Sequence, residues 1–234
     1  MSHQKFMRLF AKWHIWLGWL VGLPVLMWTV TGLVMIWVPI EDVRGNHLRA
    51  DLPELRTEGL VLPDVPDTVQ SISLESFPDG PGWIVVEEDG GRYRYSPTDG
   101  RLYNPLLEEG AREVAEAAFA GDAELQRVTY FPADSVPMDF RWPVNVWQAH
   151  FSDDTNLYIA AQTGEVLAVR TDWWRTFDFV WGLHIMDLQT RDLETQSQFN
   201  HITLLVFAIL SVFGALLGCT LMFRRRKARV KANA

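Results

Sequence analysis

The amino-acid sequence predicts a membrane α+β fold. Two transmembrane helices form a hairpin around an extracytoplasmic domain of antiparallel strands plus a helix, with an amphipathic interfacial helix before the second span. Three observations carry this reading. Apolar stretches occupy 13–40 and 199–223, each longer than the roughly 20 residues a helix needs to cross a bilayer. All 29 Asp and Glu lie between Glu41 and Gln198, accompanied by 12 Arg and no Lys, so the middle carries a formal charge of −17. The other basic residues sit at the ends: Lys5, Arg8 and Lys12 before the first stretch, then Arg224, Arg225, Arg226, Lys227, Arg229 and Lys231 after the second. The positive-inside rule places both ends in the cytoplasm and the middle outside.

In order, the chain reads as a cytoplasmic N-terminus (1–12), a first span (13–40), an outer domain (41–171), an interfacial helix and turn (172–198), a second span (199–223) and a basic cytoplasmic tail (224–234). The first apolar run is much longer than the 7–15 residues of a signal-peptide core, and no A-x-A-like site follows, so it is expected to stay as an anchor. Pro24 predicts a kink within it, and Trp13, Trp16 and Trp37 fall where aromatic belts belong. The single cysteine, Cys219, lies in the second span, which leaves the outer domain without disulfides. The basic tail reads as a topology determinant, and no nucleic-acid partner is expected.

His14, Gly18 and Gly22 are spaced by four and share a helix face; Gly214 and Gly218 repeat the spacing in the second span. Small residues at that interval let a neighbour approach closely. The spacing points first to helix packing, within the hairpin or across a dimer, since this motif is common in apolar helices; the second reading is a flat slot for a porphyrin beside His14.

Between the spans, 92–103 and 156–167 look alike when Gly100 is laid on Gly164. Each reads as a strand, a glycine turn and a second strand. Further strands are expected at Trp83–Glu87, Glu124–Tyr130 and Val144–Phe151. Leu107, Ala111, Val114 and Ala118 form an apolar stripe that predicts a helix over Leu106–Ala120. The first copy, with nothing as clearly helical before it, reads as degenerate. No nucleophile elbow, phosphate-binding glycine loop or zinc signature is present. His47 and His150 stand alone and read as surface or structural residues.

The stretch before the second span is richer. On a helical wheel over Asp172–Leu188, the residues Trp173, Trp174, Phe177, Val180, Trp181, Ile185 and Leu188 share one face, with His184 at its centre. A polar turn then leads to His201 at the head of the second span. His184 and His201 are therefore expected at one membrane level on neighbouring elements, an arrangement suited to two axial imidazoles on a haem iron and equally to ordinary buried or interfacial histidines. His14 lies some 25 residues, about 35 Å, from that level. A haem on His14 would take its second ligand elsewhere, most simply from a symmetric copy.

The chain resembles the PepSY-associated transmembrane proteins. His14, Trp16 and Gly18 match an H-x-W-x-G element, Thr31 and Gly32 a T-G element, Trp181 to His184 an element ending in L-H, and Gly214 to Gly218 followed by Arg224, Arg225 and Arg226 the family's ending. The turns at Thr98–Gly100 and Gln162–Gly164 look like those of PepSY modules. The resemblance implies a haem b protein of the bacterial inner membrane with a periplasmic PepSY-like domain. His14, His184 and His201 would be axial ligands, with Gly18, Gly22 and Trp181 beside the cofactor. It further implies electron transfer from quinol or a cytoplasmic reductant to ferric iron or a ferric siderophore, with no dedicated catalytic acid or base. Two spans give few walls for a haem, so a homodimer in membrane lipid is expected. The alternative is a non-catalytic, membrane-anchored regulatory or binding protein with packed histidines.

Overall fold

The elements follow in the order α1 (His3–Trp37), α2 (Ile40–Val43), β1 (Val69–Phe77), β2 (Gly80–Glu87), β3 (Arg92–Tyr95), α3 (Glu108–Ala118), β4 (Leu125–Phe131), β5 (Val146–Phe151), β6 (Asn156–Ala160), β7 (Val166–Arg170), α4 (Asp172–His184) and α5 (Gln198–Ala232). This computed structural model describes residues 3–65, 67–191 and 197–232. The chain divides into a helical unit, up to Val38 and again from Thr176, and a sheet unit, Pro39–Arg175.

In the helical unit, α1 runs unbroken through Pro24 and stops ahead of Pro39, which disfavours helix at the residue before it. Helix α5 continues past the expected end at 223 to Ala232, where Arg and Lys are good helix formers. The most apolar windows have mean hydropathies of 1.9 and 2.5, yet only 11% and 6% of them is buried. A core helix of a soluble protein would be mostly covered. Trp19, Leu23, Ile36 and Trp37 are each more than three-quarters exposed, so these helices need an apolar environment that the chain itself does not supply. Two long apolar helices, with two antiparallel sheets between them in sequence, are compatible with a membrane α+β layout.

Helix α4 ends four residues before the wheel expected. The backbone N–H of Asp187 donates to Gly182 O (2.8 Å) and that of Met186 to Leu183 O (3.1 Å), with Met186 left-handed at φ 53°. This is a Schellman closure built on methionine where glycine is usual. Ile185 and Leu188 consequently lie outside the helix. The buried residues on α4 are Asp178 and Gly182, so its aromatic side chains remain at least partly exposed.

The sheet unit holds two antiparallel sheets, β1-β2-β3 and β4-β5-β6-β7. Helix α3 buries Ala111, Val114, Ala115 and Ala118 against Val128, Ala149, Phe151, Leu157 and Ile159. Leu107, expected in that stripe, is 78% exposed because it caps the helix and does not turn inward. On the second core cluster, Phe140 stacks on Tyr158 beside Val146 and Ala168. With partners of both kinds, β6 is buried along almost its whole length.

The duplication is visible in the backbone. Gly100 N donates to Ser96 O (3.0 Å) and Gly164 N to Ala160 O (2.8 Å), while Ser96 N and Ala160 N bond Arg101 O and Glu165 O. Both glycines are left-handed, at φ 71° and 73°. In the first copy the strand after the turn is reduced to one bridge, Tyr95 to Leu102. Strand β1 went unanticipated, since serines and Gln70 dilute its apolar alternation.

A candidate cofactor site on the paired helices

The α1–α5 seam sets the position of His14. Its Nδ1 lies 3.0 Å from Gly214 O. A Cβ at Gly218 would stand 2.9 Å from the His14 Cε1, and one at Gly214 would touch Leu17 at 3.8 Å. The contact retreats along α5 as it advances along α1, so the two helices are antiparallel. Gly214 and Gly218 thus leave room for the His14 ring. Gly18 and Gly22 do not take part: a Cβ on either meets nothing within 4 Å.

His184 is held by the other end of α1. Trp28 Nε1 donates to its carbonyl (2.9 Å), and Thr31 Oγ1 lies 2.8 Å from its Nδ1. Its Cε1 would touch a Cβ on Gly32 at 3.8 Å. The ring therefore sits about six residues, roughly 9 Å, inside the end of α1 at Trp37. That corrects the expected separation from His14: 17 residues along α1 make about 25 Å instead of 35 Å. The shortening arises because α4 packs back onto α1 instead of beyond its end.

His201 is exposed on the first turn of α5. The antiparallel register pairs residue 14 with the stretch 214–218, so 15 residues back along α5 lies opposite about residue 29 of α1. That is the Trp28–Thr31 level, where His184 is held. The register thus puts His201 near the His184 level along α1, and the hydrogen bonds of His184 run to α1.

Polar groups between α4 and α5 brace this end. Arg191 pairs with the buried Asp178 at 2.6 Å, its stem lying where a Cβ on Gly182 would be, 3.0 Å away. Trp181 Nε1 donates to Arg191 O (3.2 Å). Asp187, almost wholly buried, accepts from the Thr190 hydroxyl and from the backbone N–H groups of Gln189 and Thr190. The Thr190 hydroxyl above all, then the backbone bonds and the Asn200 side chain, hold the Asp187 carboxyl below the usual carboxylate range. Sequence reasoning missed these groups, although an acid and an arginine flanking aromatic positions invite pairing.

In the sheet unit, His150 is not isolated. Its Nδ1 bonds Asn156 Oδ1 at 2.8 Å, beside a Gln148–Tyr158–Asp139 chain in which the Tyr158 hydroxyl donates to Asp139 at 2.5 Å. Burial, then Asp139, pushes the Tyr158 phenol well above its ordinary range. His47 is exposed and 3.9 Å from Asp42.

Among the described residues no three His, Cys, Asp or Glu come together to hold a metal ion. A porphyrin iron brings four nitrogens of its own and asks the protein for only one or two imidazoles. His14 and His184 fit that demand: each ring is anchored through Nδ1, which leaves Nε2 as the free ligating atom. No family model, curated protein or solved structure matches this chain.

Proposed function

We propose that this chain is a haem b protein of the PepSY-associated transmembrane type. In this reading it sits in the bacterial inner membrane and carries electrons outward to ferric iron or a ferric siderophore. The observation that supports it most is the pair of ring-anchored histidines, His14 on α1 and His184 held against Thr31 about 25 Å further along it, one towards each end of an apolar helix pair. When bound, haem supplies a one-electron carrier. His14 would hold it near the cytoplasmic face, where quinol or a cytoplasmic reductant delivers electrons, and His184 with His201 near the periplasmic face. Trp28 and Thr31 fix His184, and the exposed aromatics of α4, with Trp181, line the membrane boundary. Gly18 and Gly22 lie open for a second copy, whose helices would close the wall beside His14.

Absorption spectra of the purified protein test the reading. A Soret band, with sharp α and β bands after dithionite, is expected, and ferric citrate should reoxidise the reduced form. His184→Ala and His201→Ala should lose haem or turn high-spin, and His14→Ala should spare the outer haem. A colourless protein that takes up no added haem would overturn the proposal and favour a regulatory, non-catalytic role.

A further inference from the structure

We infer that Thr31 is a positioning residue that sets the tautomer of His184, holding the proton on Nδ1 so that the Nε2 lone pair is free for a metal. The case rests on counting protons. The Thr31 hydroxyl has one hydrogen and lies 2.8 Å from Met27 O, 3.3 Å from Trp28 O and 2.8 Å from His184 Nδ1. If His184 carries its proton on Nδ1, that N–H donates to Thr31 Oγ1 while the hydroxyl donates to Met27 O. Two hydrogen bonds form, and the atom left over is an acceptor. If the proton is on Nε2, the hydroxyl must turn to Nδ1. One bond then remains, and Met27 O loses the hydroxyl. The first arrangement has one more hydrogen bond, which is worth about 1 kcal/mol, enough to set the tautomer.

His14 reaches the same state by a shorter route. Its Nδ1 faces Gly214 O, a carbonyl that can only accept, so Nδ1 must carry the hydrogen. Two histidines about 25 Å apart thus present the same ring nitrogen, one through a backbone carbonyl and the other through a threonine. Only the second device can be removed by a side-chain substitution. Thr31 is 5% exposed, and the Trp28 bond to the His184 carbonyl fixes the backbone independently, so loss of the hydroxyl should change the ring without releasing the helix end.

The consequence for a bound haem rests on the proposed function; the tautomer does not. The test therefore begins with haem-free full-length protein, 15N-labelled at histidine, in detergent micelles at pH 8. The His184 ring signals are identified by their loss in His184→Ala. Wild-type protein should show Nδ1 protonated and Nε2 bare. Thr31→Val should yield a mixture of tautomers, Thr31→Ser should restore the wild-type pattern, and the His14 signals should stay unchanged in both. In haem-loaded protein, Thr31→Val should weaken haem retention about 10-fold and raise the midpoint potential, because a less basic imidazole stabilises ferric iron less. Thr31→Ser should restore both. A wild-type His184 protonated on Nε2, or a Thr31→Val pattern identical to wild type, overturns the inference. A bare Nε2 in a protein that never takes up haem sinks the proposed function and leaves the tautomer assignment standing.

Discussion

The two glycine pairs make opposite predictions at the residue scale. A methyl on Gly218 would be 2.9 Å from the His14 ring, so Gly218→Ala must push the imidazole off Gly214 O. We expect a loss of about 1–3 kcal/mol in thermal unfolding and disturbance of any haem on His14. Gly18→Ala meets nothing within 4 Å in the same chain and should leave the monomer no less stable, with up to about 1 kcal/mol of helix propensity gained. Equal effects in the two variants would refute the seam described here. Asp187 supplies a pH test. Its depressed carboxyl contributes stability that is present above the ordinary carboxylate pKa and is lost as pH falls through the folded-state value. Asp187→Asn should therefore lower the melting temperature at pH 7, and the gap to wild type should close below about pH 4. A gap independent of pH would mean that shape, and not charge, is what Asp187 provides.

At the scale of elements, the repeated turns carry a comparable contrast. Gly100 is left-handed, and a Cβ there would lie 2.7 Å from the backbone oxygen of Leu62. Gly90, at φ 85° in the β2–β3 hairpin, has open space around it. Gly90→Ala should cost only the backbone term of about 1 kcal/mol, whereas Gly100→Ala adds a collision with main chain that cannot retreat cheaply. Chemical unfolding of the full chain should rank them in that order, and the reverse ranking would mean that the Leu62 segment moves freely. In α4, the Asp178–Arg191 pair closes the Schellman turn over Gly182. Removing Arg191 takes the nearest counter-charge from a buried carboxylate, so Arg191→Leu should cost about 3–5 kcal/mol, and pairing it with Asp178→Leu should recover much of that loss. Failure of the double variant to recover would place the pair's role elsewhere.

For the whole molecule, the charge pattern makes the topology testable. With 29 acids confined to 41–198 and basic residues at both ends, reporter fusions at either terminus should be active only in the cytoplasm, and a fusion after Gly121 only outside. A C-terminal fusion active outside would reverse the assignment of the two histidine levels to the two faces.

Much of this architecture was legible because it depends on local, one-dimensional chemistry. Apolar length, charge segregation, the α3 stripe and the Gly100/Gly164 register need only neighbours in sequence, and backbone geometry enforces each. The histidines could be singled out because an imidazole in an apolar run is costly without a partner. Which partners they have was decided by tertiary packing alone. Met186 takes a left-handed cap that its own side chain disfavours, so α4 ends early and His184 meets Thr31 about 9 Å inside the end of α1. Gly214 and Gly218, not Gly18 and Gly22, receive the His14 ring, because a four-residue spacing marks a face without saying which helix covers it. Contacts between residues 153 and 200 positions apart are chosen by how surfaces fit once the helices exist, and no local propensity encodes that choice.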